Sequence, residues 1–197
     1  ENRTRDDEGV YERALRTGHF SMGPLRGMKR DAWEGGHRSP LVAAWPGVIP
    51  DASVCDQLVG LPDLMATCAE IVGVALPDGA GEDSVSMLPL LRDPSHGPTR
   101  DALVHHSGGG KFAIRQGDWV FIDDPSGGEN AEPDWYRRQR GYEEHACQGE
   151  LFNLADDLAE RHNLYGEQPE VVQRLGSRLE EIKAGDAPLS GEQDDGE

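Results

Sequence analysis

Apolar residues along this chain fall into three kinds of pattern, and each predicts a different element. Residues 41–45, LVAAW, are an unbroken apolar run closed by Pro46-Gly47, as expected of a strand buried on both faces of a parallel sheet. From Leu61 the spacing becomes helical: Leu61, Leu64, Met65, Cys68, Ile71 and Val72 recur at three or four positions, Pro62 suits a first turn and Gly73 a C-terminal stop. Cys68 lies on that stripe, which predicts it in a core. Strand, loop and helix in this order are an α/β pattern.

After Pro77 the run PDGAGEDSVSMLPLLRDPSHGPTRD is dominated by turn residues around a brief apolar patch, and reads as a join. Partial alternation then returns in ALVHHS, KFAIR and DWVFID, with Gln116-Gly117 between the last two and ELFNL near residue 150 as a fourth candidate. These predict a small antiparallel sheet. Residues 124–149 form a long polar excursion carrying Trp135, Tyr136 and Tyr142, of the length that usually serves as an ordered cover or a functional loop. Pro169 opens a helix whose Val171, Val172, Leu175, Leu179 and Ile182 share one face, expected to pack on that sheet.

Charge narrows the function classes. Across 197 residues, 37 acidic side chains outweigh 19 basic ones for a net charge of −18, which argues against a nucleic-acid partner. No apolar run approaches the roughly 18 residues of a membrane span. The opening ENRTRDDEG is neither a signal peptide nor an obvious start, which suggests a chain cut from something longer and leaves the compartment open, periplasmic and secreted included. Eight of the nineteen Lys and Arg residues lie within the first forty positions, whereas GDAPLSGEQDDGE at the end carries none. An acidic, disordered tail over 185–197 is expected, and an anion site is to be sought near the start. Cys55, Cys68 and Cys147 form no CxxC pair and indicate neither a zinc site nor a disulfide framework.

The basic residues concentrate in GPLRGMKRDAWEGGHRSP, residues 23–40, which fits neither helix nor strand. Gly23, Gly27, Gly35 and Gly36 permit close backbone approaches, and Pro24 and Pro40 stiffen the ends. Such a loop can present Arg26, Lys29, Arg30, His37 and Arg38 rigidly to a small anion, or it can be a basic surface loop paired with Asp31 and Glu34. With sixteen Arg against three Lys, Lys29 is a sparingly used residue type; its compact ammonium suits a tetrahedral oxyanion and a leaving oxygen.

The order LRGMK, WEGGHRSP, a segment ending WPGVIP and a helix opening LPDLMAT resembles the formylglycine-dependent sulfatases, whose loop G-x-L-R-G-x-K leads into E-G-G-x-R-x-P. GEDSVSMLPLL, KFAIRQGDWVFI and ELFNLADDLAERHNL are similar to three further motifs of that family, in the same order, over residues 23–165. The resemblance implies an arylsulfatase-like fold of the alkaline-phosphatase superfamily. Residues 1–78 would end its large α/β domain, 79–101 connect, and 102–184 form the small C-terminal subdomain of about four antiparallel strands with a packed helix.

It also implies roles. Lys29 matches the lysine that contacts the sulfate group and the ester oxygen, while Arg26, Glu34, Gly35, Gly36 and Arg38 match residues that build the loop. Of His105 and His106, neighbours on a strand facing opposite ways, one is expected to reach the substrate, and His19, ten residues before Lys29, is a further candidate. His145 and His162 have no constellation around them. The formylglycine precursor, Cys or Ser in C/S-x-P-x-R, has no counterpart, since Met22 holds that place in MGPLR. The Ca²⁺ ligands of the intact enzyme are likewise expected outside this chain. The expected activity is hydrolysis of a small sulfated substrate to alcohol and sulfate, by a protein whose remaining sulfatase domain lies upstream; this chain alone would be inactive. Two alternatives stand beside it, a non-catalytic binding module and part of a phosphoester or phosphonate hydrolase of the same superfamily.

Overall fold

The computed structural model describes residues 9–185; the expected acidic tail lies almost wholly outside them. In chain order the elements are helices α1 (Val10–Thr17), α2 (Glu34–His37), α3 (Asp63–Val72) and α4 (Leu88–Arg92), strands β1 (Leu103–His106), β2 (Phe112–Gln116) and β3 (Trp119–Ile122), helix α5 (Asp134–Arg140), strand β4 (Glu150–Asn153) and helix α6 (Pro169–Ala184). The strands form one four-stranded antiparallel sheet in the order β1-β2-β3-β4. The chain divides into two compact units, one of residues up to 38 with 105–113 and 118–174, the other of 39–104, 114–117 and from 175 on.

In the first unit β3 pairs with β4 in a register that sets Val120 against Phe152 and Ile122 against Glu150. Val120, Ile122 and Phe152 bury their side chains with Ala32, Trp33, Ala113 and Leu154, so the basic loop contributes two of its own residues to the core under the sheet. Asn163 locks β4 by accepting from Leu151 N at 3.0 Å and donating to Gly149 O at 3.1 Å. The excursion over 124–149 is an ordered cover: it contains α5, and its Tyr136 and Tyr142 pack with Tyr11 of α1, flanked by Phe20, Met28 and Trp135. Burial pushes the Tyr11 and Tyr136 hydroxyls well above the usual phenol range.

In the second unit α3 starts and stops as predicted, with Gly73 in the left-handed conformation at its C-terminus. Its buried face is not the apolar stripe. Asp63 and Thr67, one turn apart, point inward: Asp63 accepts from Gly60 N and Val85 N and pairs with the buried Arg100, and Thr67 Oγ1 accepts from Met87 N at 2.9 Å. They grip the segment leading into α4, where Leu88 and Leu90 are buried. Leu64, Met65, Ile71 and Val72 face solvent, and so does Cys68, contrary to its expected place in the core.

The strand expected over 41–45 does not form. Leu41 and Val42 are exposed, Val42 at 92%. A strand is held by ladder bonds to a neighbour, and among the described residues that run pairs with none. In α6, Leu175 and Leu179 of the predicted face are fully buried, and Val171, Val172 and Ile182 are half-buried.

Candidate functional site

The loop over residues 26–38, all in the first unit, is set by its glycines. Gly35 donates to Arg26 O at 2.7 Å, and a Cβ there would lie 2.5 Å from Gly27 O. At Gly36 a Cβ would lie 2.0 Å from Asp31 O, closer than any side chain tolerates. The loop can therefore fold back on its start and on its tip only because residues 35 and 36 are glycines.

Asp31 ties down the tip. One carboxylate oxygen accepts from Met28 N at 2.8 Å; the other accepts from Glu129 N, Asn130 N and Asn130 Nδ2 at 2.7–3.0 Å. Asp31 N donates back to Met28 O, so Lys29 and Arg30 are the two central residues of a closed turn. Arg30 has φ 91°, a conformation that costs a non-glycine residue about 1–3 kcal/mol. The turn is sewn to its surroundings by main-chain groups: Asn130 Nδ2 donates to Lys29 O and Gly108 N to Arg30 O. Both side chains are exposed, and among the described residues no carboxylate pairs with either.

Behind the tip the anchor is made of buried charges. Arg26, 4% exposed, lies over the Trp33 ring at 3.8 Å and the Tyr142 ring at 4.5 Å, donates to Glu160 O, and pairs with Glu132 and Glu150. Glu150 also accepts from Trp33 Nε1 at 2.9 Å and Gly127 N at 2.6 Å, with His145 Nε2 3.1 Å from its other oxygen. Glu34, 1% exposed, pairs with Arg38 and stands 3.4 Å from His37 Nε2. Its main-chain N–H donates to the Glu160 carboxyl at 2.8 Å. Burial pushes that carboxyl well above the usual range, and raises Glu132 against the lowering pull of Arg26. Arg26, Glu34 and Arg38 are thus engaged within the loop's foundation. A cleft of about 330 Å³ that includes Arg26, Trp33, Glu132, His145 and Glu150 in its lining has its charges already paired.

The histidines separate. His105 turns inward, its Nε2–H donating to Ala32 O at 2.9 Å and its ring 3.7 Å from that of His37. Its Nδ1 is buried without a hydrogen-bond partner, which suits a neutral ring. Burial, with His37 beside it, lowers its pKa to about 4. His106 is exposed near the ring of Phe112, and His19 is exposed at the end of α1. So the structure brings His105 to the loop's main chain, whereas His106 and His19 remain at the surface. An unfolded imidazole takes up its proton near pH 6.5 while folded His105 resists until about 4, so this ring's contribution to stability is complete above 6.5 and is lost as pH falls between those values. A histidine-resolved NMR titration should show His105 turning over near pH 4; a midpoint near 6.5 would contradict its place on Ala32.

Asn130, Glu132, Glu150 and Glu160 have no place among the site residues expected from sequence, and His145, expected to stand alone, is Glu150's partner. Glu150 and Glu160 lie in ELFNLADDLAERHNL, a recognisable motif whose partners the sequence does not show. Asn130 and Glu132 come from the polar excursion, where nothing marks them.

No family model matches the chain. It is 30% identical over 179 residues to an N-acetylgalactosamine-6-O-sulfatase of Bacteroides thetaiotaomicron, an alignment covering 90% of this chain and 34% of that protein. It is 31% identical over 172 residues to arylsulfatase G of Rattus norvegicus, covering 79% and 31%. The chain belongs to the sulfatases. The fold agrees: a solved Bacteroides thetaiotaomicron structure described under the metabolism of glycosaminoglycans superposes with a TM-score of 0.71 and 27% identity over 88% of this chain and 35% of its own. A Pseudoalteromonas sulfatase shares the fold at a TM-score of 0.66 and 23% identity, covering 85% and 34%. This sulfatase chain spans about a third of the length of these relatives. No described helix is long and apolar enough to cross a membrane.

Proposed function

We propose that this chain forms one wall of the active site of a sulfatase that hydrolyses a sulfate ester to an alcohol and sulfate, with Lys29 as its catalytic contact. The observation that carries this reading is the closed turn at residues 28–31, which holds at its tip a lysine that no carboxylate among the described residues pairs with, in a chain with a large excess of carboxylates. Held there, the Lys29 ammonium can donate to the sulfuryl oxygens and neutralise charge building on the bridging oxygen as the ester bond breaks. Preorganisation matters because the loop spends nothing on reorganising as that charge develops. Glu34, Arg38 and Arg26 act below the tip, and His105 holds the main chain at Ala32; these are positioning residues.

A formylglycine made from a Cys or Ser elsewhere in the protein would supply the attacking oxygen. Among the described residues no group of three or more His, Cys, Asp or Glu could hold a metal. The Ca²⁺ of the intact enzyme would be held by residues outside this chain, and no step here runs through it. The solvent-facing Leu64, Met65, Ile71 and Val72 of α3 and the exposed run at 41–45 support packing against the remainder of a sulfatase domain.

The test is turnover by the full protein carrying this chain of 4-nitrophenyl sulfate against 4-nitrophenyl phosphate. Preferential release of nitrophenol from the sulfate is expected; preference for the phosphate would assign the site to phosphoryl chemistry, and turnover of neither would remove the catalytic reading.

A further inference from the structure

We infer that Arg30 is a specificity-determining contact which, beside Lys29, receives a second anionic group, carboxylate or sulfate, of a polyanionic substrate. The inference rests on the proposed function and extends it to the class of ester hydrolysed.

The first ground is a cost that the fold does not require. Arg30 sits at φ 91°, at the turn position where a positive φ ordinarily calls for glycine. Among the described residues the main-chain hydrogen bond that ties it to a neighbouring segment, Gly108 N donating to Arg30 O at 2.7 Å, is made by a carbonyl that glycine also has. The same loop uses glycine at 27, 35 and 36 wherever backbone alone matters. A long cationic side chain kept in a strained conformation points to a use for that side chain.

The second ground is direction. The Arg30 stem runs across Gly108, where an added Cβ would lie 3.1 Å from both its Cβ and its Nε. Glycine at 108 leaves the space in which the stem is seated, so the side chain is held as far as Nε before any ligand arrives.

The third ground is charge. Arg26, Arg38 and Arg100 are all paired with carboxylates. Arg30 is not, among the described residues, although Glu129 lies on the neighbouring segment; that carboxylate accepts from Ser107 Oγ at 2.6 Å. Lys29 and Arg30 thus offer adjacent cations of different geometry. An ammonium serves one tetrahedral anion as a point charge, and a planar fork takes a carboxylate or sulfate through two parallel hydrogen bonds.

Hydrolysis-resistant probes separate this inference from the proposed activity. Binding of benzenesulfonate, 2-sulfobenzoate and benzene-1,2-disulfonate to the full protein is measured by calorimetry at one fixed ionic strength. At least one dianion should bind about tenfold more tightly than the monoanion, and which one does identifies the second group as carboxylate or sulfate. In Arg30→Gly, whose backbone suits this φ and whose melting temperature should not fall, that preference should shrink to within about twofold. A preference absent from the parent, or retained in Arg30→Gly, overturns the inference. Failure to hydrolyse sulfate esters would instead overturn the proposed activity and leave the binding ratio to decide the role of Arg30.

Discussion

Replacing Lys29 with alanine should lower kcat/KM for a sulfate ester by about 10²–10³-fold, the cost of losing one preorganised group that stabilises developing oxyanion charge. The melting temperature should barely move. The side chain is exposed and the turn is held by main-chain and Asp31 contacts that alanine keeps, so the change belongs with surface substitutions worth less than about 0.5 kcal/mol. The split between kcat and KM is informative. A fall confined to KM would make Lys29 a uniform binding contact, whereas an equal fall in kcat and kcat/KM would place its contribution in the transition state, as the proposed role requires. Lys29→Arg should restore only part of the rate, because a planar fork cannot take the place of a compact ammonium at the bridging oxygen. Near-normal turnover by Lys29→Ala would remove the lysine from the chemistry.

Legibility from sequence followed the range of the interactions involved. The hairpin of β2 and β3, strand β4, the stop of α3 at Gly73 and the face of α6 are local patterns, and all appear. The strand at 41–45 failed because a continuous apolar run specifies burial, not a partner, and no ladder forms without one. Cys68 failed for a related reason. Helical periodicity locates a stripe, but Asp63 and Thr67 took the inward face by bonding to the segment before α4, leaving the stripe outside. In the candidate site, the loop and Lys29 were visible through composition and motif order. The partners of the loop were not: Arg26 meets Glu132 and Glu150 more than a hundred positions away, and Asp31 meets Asn130 at a similar separation. A single sequence marks charged residues but not which of them fold together. The strain at Arg30 was also invisible, since φ is a property of the closed turn.

Those distant partners lead to the largest expected loss of stability, that of Glu150→Ala. The Glu150 carboxylate is 1% exposed and gathers four groups: Trp33 Nε1, Gly127 N, Arg26 and His145. Alanine would leave two buried N–H donors without acceptors and Arg26 with Glu132 as its remaining carboxylate. Breaking a buried ion pair from one side costs about 3–5 kcal/mol, so the melting temperature should fall by several degrees. Glu150→Gln can keep its carbonyl oxygen on both Trp33 Nε1 and Gly127 N, although its amide NH₂ then replaces the oxygen that Arg26 and His145 meet, so its loss should be smaller than that of alanine. The pair of variants also tests whether the anchor governs the tip. Trp33 and Ala32 follow directly on the turn that carries Lys29 and Arg30, and Gly127 N shares the Glu150 oxygen that receives the Trp33 indole. Measured well below its own melting temperature, Glu150→Ala should therefore lose turnover as well as stability, because a tip free to move no longer meets the developing charge at a fixed distance. Full turnover in a folded but destabilised Glu150→Ala protein would show that the buried charges hold the fold together without setting the position of Lys29.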